Sequence, residues 1–225
     1  DLDELPDGAQ SKDECWLILD ADEGGAILHG FDRDVSPDAF ARAVEDGRAA
    51  EMLRRVEVEP GDVVRVVPGT IHAICKGVAL LEIQQPSDTT YRVYDYDRPG
   101  LDGEPRELHL DRALQVANFD AHSPARLDSE QHGHVSILAD TDSYRIERVR
   151  PKQQMSWSVS PKSPQVVFCR MGGVELHAAH STVELSAGQT AIVPASLERI
   201  QATPENPDDT ELILAGLGST QLVAF

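Results

Sequence analysis

Short runs of β-branched and aliphatic residues, interrupted at close intervals by Gly and Pro, dominate the hydrophobic pattern of this chain. Strands of this length, separated by turn residues at regular spacing, are typical of an all-β sandwich or barrel. The pattern therefore predicts an all-β fold. The clearest predicted strands lie at residues 15–19, 63–67, 78–83, 165–168, 190–193 and 211–215.

Two segments show the periodicity of a helix instead. Ser36 is a favourable N-cap and is followed by Pro37 at the first helical position. The pattern predicts a small helical insertion near residues 36–56 and a second helix over residues 110–118. The apolar positions that share a face are Phe40, Ala43, Val44, Met52, Leu53 and Val56 in the first segment and Leu110, Leu114 and Ala117 in the second.

The two halves of the chain resemble each other in sequence. Residues 60–74 read PGDVVRVVPGTIHAI and residues 187–200 read AGQTAIVPASLERI. Each has a Gly-led turn, an apolar strand, and then Pro with a small residue. We therefore predict two related β-barrels, over residues 1–120 and 135–225, joined by a polar, turn-rich linker at 121–134.

The two halves differ four residues after the proline, where the first has His72 and the second has Glu198. Pro68 and Gly69 predict a tight turn at the barrel mouth, after which a strand directs His72 into the barrel. A histidine there suits zinc or another divalent transition metal. The alternative is a histidine that is merely packed in an apolar strand, and this segment alone leaves both open. The second barrel, without the histidine, is predicted to be metal-free and supporting.

Composition limits the possible functions. The chain of 225 residues carries 20 Lys+Arg against 39 Asp+Glu, a formal net charge of −19. Without a basic stripe to neutralise phosphates, no nucleic-acid partner is expected. The three cysteines form no CxxC pair and lie in or beside apolar runs, which predicts small buried residues in a reducing compartment. Since no apolar run reaches the length of a membrane helix, we predict a cytoplasmic protein with no membrane partner.

Several motifs together resemble one enzyme family. Residues 61–72 match the second conserved motif of the cupin fold, and residues 81–98 read LEIQQPSDTTYRVYDYDR. This run strongly resembles the class I mannose-6-phosphate isomerases of the short bacterial type, as do KDECW at 12–16 and RELH at 106–109. The similarity is close over residues 10–120 and weaker beyond them. It implies a double cupin, two jelly-roll β-barrels, in a chain that lacks the family's N-terminal segment.

The resemblance implies a metal site for Zn2+ or another divalent transition metal, one ion per chain in the complete enzyme. Glu14 and His72 match two of the family's four metal ligands. The other two belong to a Q-x-H motif upstream of KDECW, which this sequence does not contain. The predicted site is therefore incomplete, because two ligands alone hold a transition metal poorly. The sequence QHGH at residues 131–134 has a similar spacing but is interpreted as part of the linker.

The same resemblance implies roles for four further residues. Glu82 is the predicted base for proton transfer, and Arg92 the cation beside the developing oxyanion. Lys12 is predicted to be catalytic and, together with Arg98, to bind the substrate phosphate.

Residue chemistry without the resemblance leaves other interpretations open. Arg92 and Arg98 can pair at the surface with acidic neighbours, and Glu14 can be a solvated residue at the edge of a strand. The acidic neighbours are Asp88, Asp95 and Asp97. Further tyrosines and histidines are interpreted as packing or turn residues: Tyr91, Tyr94, Tyr96, His177 and His180.

The function predicted from the resemblance is metal-dependent isomerisation between mannose 6-phosphate and fructose 6-phosphate, in a monomer or homodimer whose partner is a small sugar phosphate. An alternative is a non-catalytic or truncated cupin that binds a sugar phosphate without turnover. A third possibility keeps the cupin fold but changes the reaction to that of another sugar-phosphate isomerase or epimerase.

Overall fold

A computed structural model of the chain describes residues 11–95, 98–100, 102–122, 125–127, 130–179 and 181–218. The chain divides into two compact units, with the boundary between Arg126 and Leu127. This boundary lies inside the segment that the sequence predicts as a linker. Two short strands, one on each side of the boundary, also lie in that segment.

The first unit is built from two antiparallel sheets in its described residues. Its strands are β1 (Glu14–Ala21), β2 (Ala26–Phe31), β3 (Leu53–Glu57), β4 (Val63–Val66), β5 (His72–Ile74), β6 (Val78–Gln84) and β7 (Ala125–Arg126). One sheet has the order β6-β1-β4-β7 and the other the order β3-β2-β5. Apolar side chains from both sheets, among them Trp16, Ile27 and Val64, form one buried cluster, so the sheets pack face to face.

The second unit repeats this architecture. Its strands are β8 (Glu130–His132), β9 (Val135–Asp140), β10 (Tyr144–Val149), β11 (Met155–Ser158), β12 (Gln165–Met171), β13 (Gly173–Ala178), β14 (Ser181–Ser186), β15 (Thr190–Val193), β16 (Arg199–Pro204) and β17 (Glu211–Leu217). The sheet orders are β15-β12-β17-β10-β9-β8 and β11-β16-β13-β14. Trp157 and Leu212 belong to the buried cluster between them.

The two units share a pattern of strand pairing. In the first, β1 pairs with β4 and β6, and β2 pairs with β3 and β5. In the second, β12 pairs with β15 and β17, and β13 pairs with β14 and β16. Residues 60–74 and 187–200 occupy matching places, since each segment leads from one sheet of its unit to the other. The repeat predicted from the sequence therefore extends to the strand pairing.

The first predicted helix is shorter than its pattern suggests. Helix α1 (Pro37–Glu45) begins as predicted, because the Ser36 hydroxyl accepts a hydrogen bond from the Ala39 N–H at 3.2 Å. Gly47, with φ of +71°, then reverses the chain. The prediction of helical structure up to residue 56 is wrong: a 3₁₀ turn at Ala49–Met52 leads directly into β3. Pairing with β2 overrides the local pattern there.

The second helix is close to its prediction. Helix α2 (Leu110–Val116) ends two residues before the predicted bound.

All three cysteines are free, and Cys15 and Cys169 are buried. Cys75 is only half-buried, which corrects its interpretation as a buried residue. Burial raises the pKa of Cys15 to about 12, so its thiol is unreactive. None of the described helices is long and apolar enough to cross a membrane.

Candidate functional site

Strand alternation places three site residues on the inner face of the first sheet. Glu14 and Trp16 are two residues apart on β1 and therefore share a face. Trp16 lies directly opposite Glu82 on β6, so Glu82 shares that face too. Because Trp16 belongs to the core between the two sheets, this is the inner face of the unit.

The carboxylate of Glu14 is buried and fully engaged. Its side chain is 4% exposed. Lys12 Nζ donates to Oε1 at 2.6 Å, and Trp16 Nε1 donates to Oε2 at 3.2 Å. A buried carboxylate is tolerated when it is paired and hydrogen-bonded in this way. The alternative interpretation of Glu14 as a solvated edge residue is therefore wrong.

His72 begins β5 and faces the same carboxylate. Its Nδ1 lies 2.8 Å from the Thr70 carbonyl oxygen. Because a carbonyl oxygen only accepts hydrogen bonds, Nδ1 is the donor, and in the neutral imidazole this leaves the lone pair on Nε2. Nε2 lies 3.9 Å from Oε2 of Glu14, and the ring packs edge-on against Trp16 with the centroids 5.2 Å apart. The imidazole is thus oriented with Nε2 toward Glu14.

The turn before His72 depends on Gly69. Its φ is +85°, and a Cβ at this position would lie 2.9 Å from the backbone oxygen of Val116. We expect Gly69→Ala to lower the free energy of unfolding by roughly 2 kcal/mol, because the left-handed backbone costs about 1 kcal/mol and the contact adds to it. Gly61→Ala is the matched control, since Gly61 has φ of +100° but no heavy atom within 4 Å of its Cβ position. Equal losses for the two variants in urea denaturation would contradict the contact with Val116.

Lys12 lies between two carboxylates. Its Nζ is 2.6 Å from Glu14 Oε1 and 3.2 Å from Glu82 Oε1. Burial lowers the pKa of Lys12, but the hydrogen bonds and charges of the two glutamates outweigh burial and raise that pKa above its ordinary value. Lys12 is therefore a fixed cation at neutral pH. Two carboxylates against one ammonium leave a local negative charge, which favours a further cation and disfavours a phosphate at this point.

His29 is a buried neighbour of His72 that the sequence analysis did not single out. It lies opposite His72 in the β2–β5 pair and is 2% exposed. Its Nε2 is 3.1 Å from the Arg65 carbonyl oxygen. Burial lowers the pKa of His29, partly offset by that carbonyl, and the nearby His122 and His72 lower it further. The available signal was that His29 is the one polar side chain in the otherwise apolar run AILHGF, a strand that is buried at every position.

Arg92 and Arg98 form a second group, around the carboxylate of Asp95. Arg92 Nε lies 3.9 Å and Arg98 Nη2 3.0 Å from Oδ1. Arg106, to which the sequence analysis gave no role, donates from Nε to Oδ2 at 2.6 Å and from Nη2 to Oδ1. Pairing with Asp95 agrees with the alternative interpretation of both arginines, but the Asp95 side chain is 7% exposed and is not a surface group. Asp97 lies outside the described residues.

The remaining candidates have structural partners where they are described. The Tyr91 ring lies 6.2 Å from that of His109, and Tyr94 packs against the apolar cluster around α1. His177 Nε2 is 3.1 Å from Glu175 Oε1. Tyr96 and His180 lie outside the described residues, as do the side chains of the first two residues of the QHGH segment.

The second unit carries different residues at the places of Glu14 and His72. The register of β12 with β15 matches that of β1 with β4, counted from the glycine turn before each strand. Gln165, which is fully buried, takes the place of Glu14 and accepts a hydrogen bond from Trp157 Nε1 at 3.1 Å. Counted from Pro68 and Pro194, Glu198, just before β16, stands in sequence where the first half has His72. The second unit thus has a neutral amide where the first has a buried carboxylate.

The described side chains contain no group of three or more His, Cys, Asp or Glu that could hold a metal ion. The pair Glu14 and His72 nevertheless fits part of such a site. Their facing atoms are 3.9 Å apart, and one ion could reach both of them with bonds of about 2.0–2.2 Å. The hydrogen bond from Nδ1 to a backbone carbonyl is the usual support for a histidine that ligates through Nε2.

The chain is similar in sequence to individual known proteins, although no protein-family model matches it. The chain is 46% identical over 109 residues to the mannose-6-phosphate isomerase ManA of Bacillus subtilis, an alignment that covers 48% of this chain and 34% of that protein. It is 41% identical over 110 residues to the mannose-6-phosphate isomerase of Streptococcus mutans, with 49% and 34% covered. The alignments thus span about a third of these curated relatives.

A solved structure extends the similarity over most of the chain. The crystal structure of the mannose 6-phosphate isomerase from Bacillus subtilis matches with a TM-score of 0.79 and 29% identity. The match covers 92% of this chain and 65% of that one, so the chain spans less than two thirds of the solved protein. The resemblance predicted from residues 81–98 is therefore confirmed: this chain is related to the mannose-6-phosphate isomerases of the short bacterial type.

Proposed function

We propose that the protein containing this chain interconverts mannose 6-phosphate and fructose 6-phosphate, and that the chain supplies the base, two metal ligands and the phosphate-binding arginines. One observation carries the proposal. Lys12, Glu14, His72 and Glu82 come from three segments of the first unit, and neighbouring members of the group lie within 3.9 Å of each other. We further infer that the two units are the jelly-roll barrels of a double cupin, for which the shared strand pairing is the support.

Glu14 and His72 would hold the metal ion, Zn2+ or another divalent transition metal. The buried carboxylate, the orientation of Nε2 toward it and the local negative charge all favour a cation at this point. When bound, such an ion acts as a Lewis acid that polarises the carbonyl of the substrate. The proposal requires ligands beyond this pair, because two protein ligands form a weak site.

Glu82 is the proposed base. The reaction moves a proton between C2 and C1 of the open-chain sugar, so a carboxylate must first remove the proton from one carbon and then return it to the other. The Glu82 side chain is 32% exposed, which leaves it accessible to a substrate. Lys12 Nζ donates to Glu82 Oε1 at 3.2 Å and also binds Glu14, so it holds the Glu82 carboxylate in position.

The arginines around Asp95 are the proposed anion-binding part of the site. Arg98 would bind the phosphate of the sugar and Arg92 would stabilise the developing oxyanion. The local charge favours Arg98 over Lys12 as the phosphate ligand, because Lys12 is outnumbered by two carboxylates whereas Asp95 is outnumbered by arginines. Anchoring of the phosphate would orient C1 and C2 relative to the base.

The proposal is tested with the protein translated from the complete reading frame and loaded with Zn2+. We expect turnover of mannose 6-phosphate with a kcat/KM at least roughly 100-fold above that for glucose 6-phosphate, and loss of turnover on chelation, because the chemistry needs the Lewis acid. The measurement is a coupled assay of fructose 6-phosphate formation.

Two outcomes of this assay would overturn the proposal. Binding of mannose 6-phosphate by calorimetry without turnover would identify a non-catalytic sugar-phosphate-binding protein. A preference for glucose 6-phosphate would identify another sugar-phosphate isomerase. We also infer a cytoplasmic monomer or homodimer, for which the three free thiols are the support with respect to the compartment.

A further inference from the structure

A chain reversal brings the arginines of the second group together. The Gly100 N–H donates to the Glu104 carbonyl at 2.7 Å, and Pro99 forms a bridge with Pro105. Arg98 and Arg106 lie next to this bridge, one on each arm. At the other end of the reversal, the His109 N–H donates to the Arg92 carbonyl at 2.7 Å. The backbone therefore fixes the positions from which all three guanidinium groups reach Asp95.

The carboxylate of Asp95 is the common counter-ion of these groups. Hydrogen bonds from Arg106 lower the pKa of Asp95, burial opposes that shift, and the hydrogen bond from Arg98 adds to it. Asp95 is therefore ionised at neutral pH. Arg106 binds it in a two-pronged manner through Nε and Nη2, whereas Arg98 donates from Nη2 to the carboxylate and from Nε to the Asp95 backbone carbonyl at 3.3 Å. The fork of Arg106 on both carboxylate oxygens is the bidentate, charge-assisted pair.

The group carries more positive than negative charge, in a chain whose net charge is −19. Three guanidinium groups share one carboxylate. Of the acidic residues close by in sequence that the structure describes, Glu107 has a side chain that is 85% exposed, and Asp102 and Glu104 are exposed residues of the reversal. An anion placed among the three arginines would neutralise charge that Asp95 alone cannot.

A comparable group in the second unit shows what a purely structural cluster looks like. There Glu211 is paired with Arg148, Arg150 and Arg170, and the side chains of Arg148 and Arg170 are only 11% and 12% exposed. At Asp95 the exposed fractions are 28% for Arg92, 63% for Arg98 and 37% for Arg106. The arginines at Asp95 can therefore be reached by a ligand, whereas two of those at Glu211 are enclosed.

We propose that Arg106 is a further residue that binds the phosphate of a phosphomonoester substrate, and that Asp95 is a positioning residue that holds Arg98 and Arg106 for it. The proposal rests on the proposed function for the identity of the ligand. Arg106 is the fixed phosphate ligand, because the two-pronged pair with Asp95 orients its guanidinium. Arg98, whose side chain is more exposed, is the ligand that moves onto the phosphate.

The test is calorimetric titration of the 225-residue chain with inorganic phosphate, which requires neither turnover nor metal. Arg106→Gln should weaken binding roughly 10- to 100-fold, the usual effect of losing a charged hydrogen-bonding partner. Asp95→Asn should also weaken it, by about tenfold, although this change makes the chain less acidic. Arg112→Gln is the matched control: it removes the same charge from an exposed position on α2 and should change the affinity less than about twofold.

Several results would overturn the inference. The first is that the parent chain does not bind phosphate, and the second is that Arg106→Gln has no larger effect than Arg112→Gln. The third is tighter binding by Asp95→Asn, which would show that Asp95 only competes with phosphate for the arginines. Arg106→Lys guards against misfolding of the Gln variant, because Lys keeps the charge but loses the fork and should bind with intermediate affinity. Weakened phosphate binding in a protein that does not isomerise mannose 6-phosphate would end the proposed function and leave this site standing.

Discussion

Glu82→Gln is expected to lower kcat for the isomerisation of mannose 6-phosphate by roughly 10²- to 10⁴-fold, the range for loss of a general base. KM should change little, because the amide keeps the size of the side chain and can still contact its neighbours. The substitution removes the one function that the reaction needs from this group, which is to accept a proton from carbon. Incorporation of solvent deuterium at C1 and C2 should fall in parallel with kcat.

The control for this variant is Glu57→Gln. Glu57 is also a glutamate on a strand of the first unit, but its side chain is 78% exposed. Its substitution therefore removes a charge from the protein surface. The variant should retain the kcat of the parent protein. Turnover close to normal in Glu82→Gln would remove Glu82 from the role of base, whatever its effect on KM.

Much of the fold follows from the sequence because alternation and turn residues act locally. The predicted strand at residues 190–193 has the same bounds in the structure, and Ser36 caps α1 as its position predicts. Strand β3 was missed because Leu53 and Val56 are three residues apart, a spacing that also fits a helix. The pairing of β3 with β2 is a long-range contact that a local pattern does not contain.

The candidate site shows the same division between local and long-range information. Trp16 could have been placed beside Glu14, since two residues along a strand share a face. The meeting of Glu14 with His72 needs two sheets that pack together, which the family resemblance implied and the residue pattern alone did not. Asp95 was considered only as a surface partner, and Arg106 was given no role, because the chain reversal that joins them has no distinctive pattern.

The divergence of the two units explains why one of them is the candidate site. The same strand pairing holds the carboxylate of Glu14 in the first unit and the amide of Gln165 in the second. Glu14 and Gln165 both accept a hydrogen bond from an indole N–H. The two indoles come from different places, since Trp16 lies on the same strand as Glu14 whereas Trp157 lies on the other sheet of its unit. An amide satisfies the indole in the second unit, so the charge of Glu14 calls for cationic partners: Lys12 and, under the proposed function, a metal ion.

Glu14→Gln is accordingly expected to weaken Zn2+ binding by roughly 100-fold or more in the protein translated from the complete reading frame, since changes to the outer shell alone cost about 10- to 100-fold. The amide keeps the shape of the side chain and can still accept from Trp16, but it removes the negative charge that a divalent ion needs. The measurement is competition against a chelator of known affinity. Glu57→Gln is the matched control, because it makes the same chemical change at an exposed glutamate on another strand of the first unit and should leave Zn2+ affinity within about threefold. Equal Zn2+ affinity in Glu14→Gln and the parent protein, with both folded by circular dichroism, would show that the buried carboxylate is only the partner of Lys12 and that the ion binds elsewhere.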